Sequence, residues 1–162
     1  VIGIFKAYCT RVGSGPFPTE LLDEVGEQIR AEGREFGATT GRPRRCGWID
    51  LPALKYAIMI NGVTELSMMK ADILSIFDEI EVCTHYMVDG KRMDYLPYDI
   101  ANMECTPVYE KVKGWKTDLT ELSNYADAPA ELKGYVQYLE QKLDVPVRVV
   151  SVGPDRSQTL NN

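Results

Sequence analysis

A chain of 162 residues is long enough to bury one real core and short for two. Its 44% apolar and 26% charged residues are those of an ordinary globular protein, and no apolar run is long enough to span a bilayer. The net charge of -6 argues against nucleic acid as a partner, since a phosphate backbone demands a net basic face.

Residues 1–8, VIGIFKAY, read as a buried strand. With so little polar lead-in, the strand looks cut from the middle of a sheet, and a fragment is expected. A glycine- and proline-punctuated loop covers residues 10–19. Leu21, Leu22, Val25 and Ile29 then fall near helical spacing, so a short amphipathic helix is predicted, with Thr19 as its cap. A second helix fits residues 52–59, with proline in its first turn and Asn61-Gly62 as the stop. Strands are predicted over 65–70, 79–88, 91–96 and 107–113, and Asp89-Gly90 is a strong hairpin signal between the second and third. Pro129 opens a last helix whose Leu132, Val136, Leu139 and Leu143 keep one face apolar. Pro146 ends that pattern, and residues 147–152 are nearly unbroken valine, as in a central strand covered on both faces. Strands and helices alternate around an antiparallel hairpin. The fold predicted is α/β (α+β): a mixed β-sheet with flanking helices in one domain, 1–162, without repeat or linker.

Three loops carry chemistry. Residues 35–48 read EFGATTGRPRRCGW. Thr39 and Thr40 precede Gly41, where a backbone without a side chain lets a ligand approach closely. Threonine hydroxyls and amides there can grip a carboxylate or phosphate, and Arg42, Arg44 and Arg45 add charge-assisted forks. The competing reading is a solvated basic loop. In Met69-Lys70-Ala71-Asp72, a carboxylate just past a strand can accept from the ring N–H and the exocyclic amine of guanine. Adenine lacks that donor pair, so one aspartate can discriminate the bases. The lysine stem can lie over the base. Solvated loop charges are the alternative. Ser151, Val152 and Gly153 end the valine strand, and open α/β sheets bind ligands at the carboxyl ends of their strands. Small residues there would leave backbone groups available to a purine; a plain tight turn is the alternative.

The remaining reactive side chains read as structural. His85 lies inside a predicted strand. Cys9, Cys46, Cys83 and Cys105 show no CxxC spacing, which argues against a zinc knuckle or redox motif and suits thiols in a reducing cytosol. Tyr135 and Tyr138 read as partial core and surface.

TRVG at residues 10–13 with the following GPFPTEL, then EFGATTGRPRRCGW, then MKAD, then SVGPDR resemble adenylosuccinate synthetase, in that order. The likeness runs from Val1 to about Leu160 and covers only the C-terminal portion of that enzyme. Departures are small: Pro43 interrupts what is often an arginine run, and Met69 stands where threonine is common. The resemblance implies a cytoplasmic, homodimeric ligase of purine (AMP) biosynthesis. That enzyme joins L-aspartate to IMP with GTP and Mg2+, giving adenylosuccinate, GDP and phosphate. It implies that Ala38, Thr39, Thr40, Gly41, Arg42, Pro43 and Arg44 grip aspartate. Arg42 would also reach IMP, Arg44 the GTP side, and Val12 the IMP ribose. Lys70, Ala71 and Asp72 would recognise guanine, completed by Ser151, Val152 and Gly153. The family's general base, its partner histidine, its Mg2+ ligands and its glycine-rich phosphate loop belong to the N-terminal part. No GxxxxGK[ST] occurs here. No catalytic residue or metal ligand is therefore expected in this chain, which should be inactive alone, with no nucleic-acid or membrane partner. Two other readings stand beside this one. One is a stand-alone purine- or anion-binding module without catalysis; the other is an interaction domain presenting Arg42, Arg44 and Arg45 to an acidic partner.

Overall fold

The computed structural model describes all 162 residues. In chain order the elements are β1 (Ile2–Lys6), β2 (Cys9–Arg11), α1 (Glu24–Glu32), β3 (Arg45–Gly47), β4 (Ile49–Asp50), α2 (Leu51–Asn61), β5 (Glu65–Met69), β6 (Glu79–Val88), β7 (Lys91–Met93), β8 (Cys105–Lys113), α3 (Ala130–Leu143), β9 (Val147–Ser151) and β10 (Thr159–Asn161). Short 3-10 segments span Ala71–Ile76, Tyr125–Asp127 and Arg156–Gln158. Parallel and antiparallel pairing with flanking helices is the mixed α/β class the sequence predicts. Two compact units result. Unit one comprises Val1–Ala7, Ala57–Ile80 and Lys111–Asn162; unit two comprises Tyr8–Tyr56 and Glu81–Glu110.

Unit one holds a sheet in the order β1-β5-β9-β10, parallel except for β10. Leu66 and Met68 of β5 and Val147 and Val150 of β9 are buried, as inner strands of a covered sheet require. α3 buries Leu132, Tyr135, Val136, Leu139 and Leu143, the stripe its 3.6-residue period dictates. The Tyr135 hydroxyl donates to the carbonyl of Ala7 at 3.2 Å, and its ring lies 5.6 Å from that of Trp115. Tyr135 is thus wholly core rather than partly so.

In this chain β1 pairs only with β5, and Ile2 and Ile4 are 62% and 76% exposed while Phe5 is buried. An apolar run shows that a strand exists; which strands flank it is decided by distant partners. β10 was not foreseen, because only Leu160 in that polar stretch is buried and its strand state comes from pairing Thr159 with Ser151.

Unit two contains the β2-β3 ribbon and a sheet of β4, β6 and β7, with β8 paired to β6. Asp89 and Gly90 take φ of +49° and +72° at the β6-β7 hairpin, the left-handed pair that a two-residue turn of right-handed twist needs. The expected cap of the first helix is wrong. Asp23 caps α1, its Oδ1 accepting from the amides of Val25 and Gly26 at 3.1 Å, while Thr19 is fully buried and Leu22 is 90% exposed. Gly47 allows Thr19 to sit there: a Cβ on it would lie 2.0 Å from the Thr19 carbonyl oxygen. Cys83, Tyr86 and Val88 form the local core with Met93, Leu96, Cys105 and Tyr109 packed on it. Within it, the buried Asp50 carboxylate accepts from the Tyr86 hydroxyl at 2.6 and 2.7 Å and from the Ala53 amide at 3.0 Å. Burial raises the Asp50 pKa despite these bonds, and burial pushes the Cys83 thiol up to about 12. No disulfide joins the four cysteines.

Candidate functional site

In unit one, β5 and β9 are parallel neighbours with Met68 opposite Val150, so the residues that follow leave the sheet side by side at its carboxyl edge. Lys70 takes φ +62°, a left-handed turn that redirects the chain into the 3-10 segment Ala71–Ile76. Ala71 is buried beneath it. Asp72 stands in the first turn, where its Oδ1 is buried without a hydrogen-bond partner. Burial raises the Asp72 pKa; the backbone amides of Asp72 and Ile73 and the charge of Lys70 oppose that rise, and the charge of Asp118 adds to it. A desolvated carboxylate oxygen with no donor is costly, so this geometry suits a ligand that brings N–H groups. The Trp115 indole N–H donates to Ser75 Oγ at 3.0 Å, holding the segment that carries Asp72.

Beside it, the turn after β9 is laced from within. Ser151 Oγ donates to the Gly153 carbonyl at 3.0 Å, and the Val152 amide donates to the Gln158 carbonyl at 2.9 Å. The Gln158 side chain accepts from the Asp155 amide at 2.9 Å and donates to the Thr120 carbonyl at 3.0 Å. Two backbone groups expected to be open to a ligand are therefore engaged, the Val152 N–H and one lone pair of the Gly153 carbonyl. A Cβ at Gly153 would lie 2.1 Å from Gln158 Oε1, the end of the side chain that laces this turn.

In unit two the arginine loop is a tight hairpin. The Arg44 amide donates to the Glu35 carbonyl, the Gly37 amide to the Arg42 carbonyl and the Gly41 amide to the Gly37 carbonyl, each at 2.8 Å. Gly41 turns the chain at φ +64°. Ala38, Thr39, Thr40, Gly41, Arg42 and Pro43 are exposed at the tip, and the Arg42 guanidinium makes no hydrogen bond or ion pair within the chain. Arg11 pairs with Arg45 across the β2-β3 ribbon, and Val12, which follows it, is exposed. Arg44 itself donates through Nη1 to Glu35 Oε2 at 2.6 Å.

Arg45 is a different matter. Its Nε and Nη2 clamp both oxygens of Glu20 at 2.8 and 2.5 Å, its Nη1 donates to the carbonyls of Gly13 and Gly15, and it lies over the Phe17 ring. These bonds hold the Glu20 carboxyl below its ordinary pKa. A three-arginine patch for an acidic partner is thus not formed, since Arg45 is built into the fold. Residues 70–72 and 151–153 lie at the ends of neighbouring strands in unit one; residues 38–44 form one hairpin in unit two, which also contains Val12. Sequence reasoning missed Tyr8, Glu35 and Gln158, whose importance lies in partners 27, 9 and 38 residues away. No group of three or more His, Cys, Asp or Glu side chains is placed to hold a metal ion. No helix is long and apolar enough to cross a membrane.

The sheets and helices define a mixed α/β protein, and comparison gives its family. The family model of adenylosuccinate synthetase matches residues 1–160. An adenylosuccinate synthetase of Cytophaga hutchinsonii is 59% identical over 161 residues, 99% of this chain and 37% of that protein. One of Flavobacterium johnsoniae is 58% identical over 160 residues, 99% of this chain and 38% of that protein. The structure of fully ligated adenylosuccinate synthetase from Plasmodium falciparum superposes with a TM-score of 0.93 at 38% identity, over 99% of this chain and 39% of that one. The chain belongs to the adenylosuccinate synthetase family. It spans a little over a third of the length of these relatives.

Proposed function

We propose that these 162 residues, taken as one functional domain, are the substrate- and guanine-binding part of an enzyme that ligates IMP and L-aspartate. GTP hydrolysis drives the ligation, which gives adenylosuccinate, GDP and phosphate in AMP synthesis. The observation that carries this reading is the buried, unpartnered Asp72 Oδ1 at the carboxyl edge of a parallel sheet, beside the turn at Ser151, Val152 and Gly153. An N–H pair on a purine edge supplies what that oxygen lacks. Lys70 and Ala71 complete the guanine contact. Thr39, Thr40, Arg42 and Arg44 offer hydroxyl and guanidinium donors to the carboxylates of aspartate and to the phosphate of IMP, with Ala38, Gly41 and Pro43 shaping the hairpin and Val12 meeting the ribose. Such positioning and charge neutralisation is most of what phosphoryl transfer asks of a protein. Mg2+, which the family uses, is assigned to residues outside this span. A cytoplasmic homodimer is the assembly expected for the whole enzyme.

Calorimetric titration of the 162-residue chain with GDP and ADP tests the reading. GDP is expected to bind with saturation and ADP at least about tenfold more weakly, the discrimination one lost buried donor pair supports. Equal binding of both nucleotides would remove Asp72 from base recognition. Formation of adenylosuccinate by the pure chain would overturn its assignment as a binding part without turnover.

A further inference from the structure

Two adjacent arginines in unit two are held in opposite ways. Arg45 has its whole fork engaged, with two nitrogens on Glu20 and the third on backbone carbonyls. Arg44 gives a single nitrogen, Nη1, to Glu35, and its Nε and Nη2 make no hydrogen bond in the chain. Yet Arg44 is otherwise firmly fixed. Its amide donates to the Glu35 carbonyl at 2.8 Å, and its own carbonyl accepts from Arg30 Nε at 2.8 Å. Its partner Glu35 has a side chain wholly removed from solvent, while that of Arg44 keeps 31% exposure. Glu35 Oε1 accepts from the Tyr8 hydroxyl at 2.6 Å. The fold makes room for that hydroxyl, since a Cβ on Gly33 would lie 2.4 Å from it and 3.1 Å from Glu35 Cγ.

A carboxylate this deeply buried costs several kcal/mol in desolvation, and a bidentate fork is the usual way to offset it. Here the pairing is one-pronged although the same ribbon shows that a two-pronged clamp is attainable. The arrangement leaves two nitrogens of the part-exposed Arg44 guanidinium without a bond in the chain, at the base of the 35–44 hairpin whose exposed tip carries the unpaired Arg42.

We propose that Glu35 is a positioning residue: with Tyr8 it fixes Arg44 so that the unengaged guanidinium edge faces an anionic ligand of the carboxylate or phosphate class. The inference rests on the functional reading above and adds to it two residues, Glu35 and Tyr8, that need not touch substrate. Glu35 also neutralises part of the local positive charge, so ligand selection falls on directed N–H groups rather than on net charge alone.

The test uses the 162-residue chain with Glu35→Gln and, separately, Tyr8→Phe. Side-chain 15N spectra of arginine report whether rotation about the Arg44 Nε–Cζ bond is restrained. Titration with L-aspartate and with inorganic phosphate reports affinity and separates the two sources of anion. Glutamine keeps the shape and can still accept from Tyr8, so Glu35→Gln should keep its fold. It should release the Arg44 Nη signals into averaging and weaken the bound anion by about tenfold or more, the effect of losing one charge-assisted contact. Tyr8→Phe retains the ion pair and should produce a smaller loss of the same kind; it decides the matter alone if Glu35→Gln does not fold. Unchanged Arg44 restraint, or unchanged affinity in the folded variants, overturns the proposal. Failure of the unaltered chain to bind either anion instead refutes the functional reading of the loop, and the Arg44 spectrum then still decides whether Glu35 is the clamp.

Discussion

Replacing Asp72 by asparagine should stabilise the ligand-free chain while weakening its hold on guanine. The two effects share one cause. Asp72 Oδ1 is buried with no donor, and burial raises the carboxyl's pKa above its ordinary range. A folded-state pKa above the unfolded one means that the folded chain holds the proton more tightly. Stability from this group is therefore greatest at low pH and falls as pH rises from the ordinary carboxylate range through the raised folded value. At neutral pH the ionised side chain is a net cost, and because Asp72 is only half buried it falls at the lower end of the roughly 1–3 kcal/mol for an unsatisfied buried group. Asparagine removes the charge but brings an amide with needs of its own, so about 1 kcal/mol should be recovered, a rise of about 2–4 °C in Tm for a chain of this size. Binding moves the other way. Asparagine offers one acceptor and turns an N–H toward a guanine donor, so GDP should weaken by about 1–3 kcal/mol, roughly fivefold to 150-fold. Xanthosine diphosphate, whose C2 carbonyl can accept from that amide, should bind the variant better than the unaltered chain. Thermal melts from pH 4 to 8 with paired GDP and xanthosine diphosphate titrations measure all of this. A variant that is less stable at pH 7, or that binds GDP as before, would refute the argument.

Two further outcomes follow from the core. Tyr86→Phe leaves the buried Asp50 carboxylate with only the Ala53 amide, and should lose about 1–3 kcal/mol at pH 8. Because the Asp50 pKa is already raised by burial, the deficit should shrink in melts at pH 5, where the group approaches neutrality; a deficit independent of pH would mean Asp50 is not ionised in the fold. Alanine at Gly47 and at Gly134 should separate a required glycine from a dispensable one. A Cβ at Gly47 meets the Thr19 backbone and should cost about 3 kcal/mol in urea unfolding, whereas one at Gly134 meets nothing within 4 Å and should gain about 0.5–1 kcal/mol. Equal effects at the two sites would contradict the close approach of Thr19 to Gly47.

The Asp89-Gly90 turn, the period of α3 and the valine run of β9 were readable because each is a local matter: backbone dihedrals, helical repeat and strand propensity are set within a few residues. The three candidate loops stood out as strings for the same reason, through residue types whose chemistry is their own. Pairing over distance was not written locally. Nothing in VIGIFK names residues 65–69 as its partner, and nothing in SQTLNN announces a strand that exists only because Ser151 lies across from Thr159. Likewise RPRR shows four neighbouring letters with three equal charges. Only the fold assigns Arg45 to Glu20, half of Arg44 to the buried Glu35, and leaves Arg42 to the solvent, because which charges are desolvated together depends on partners 25 and 9 residues away.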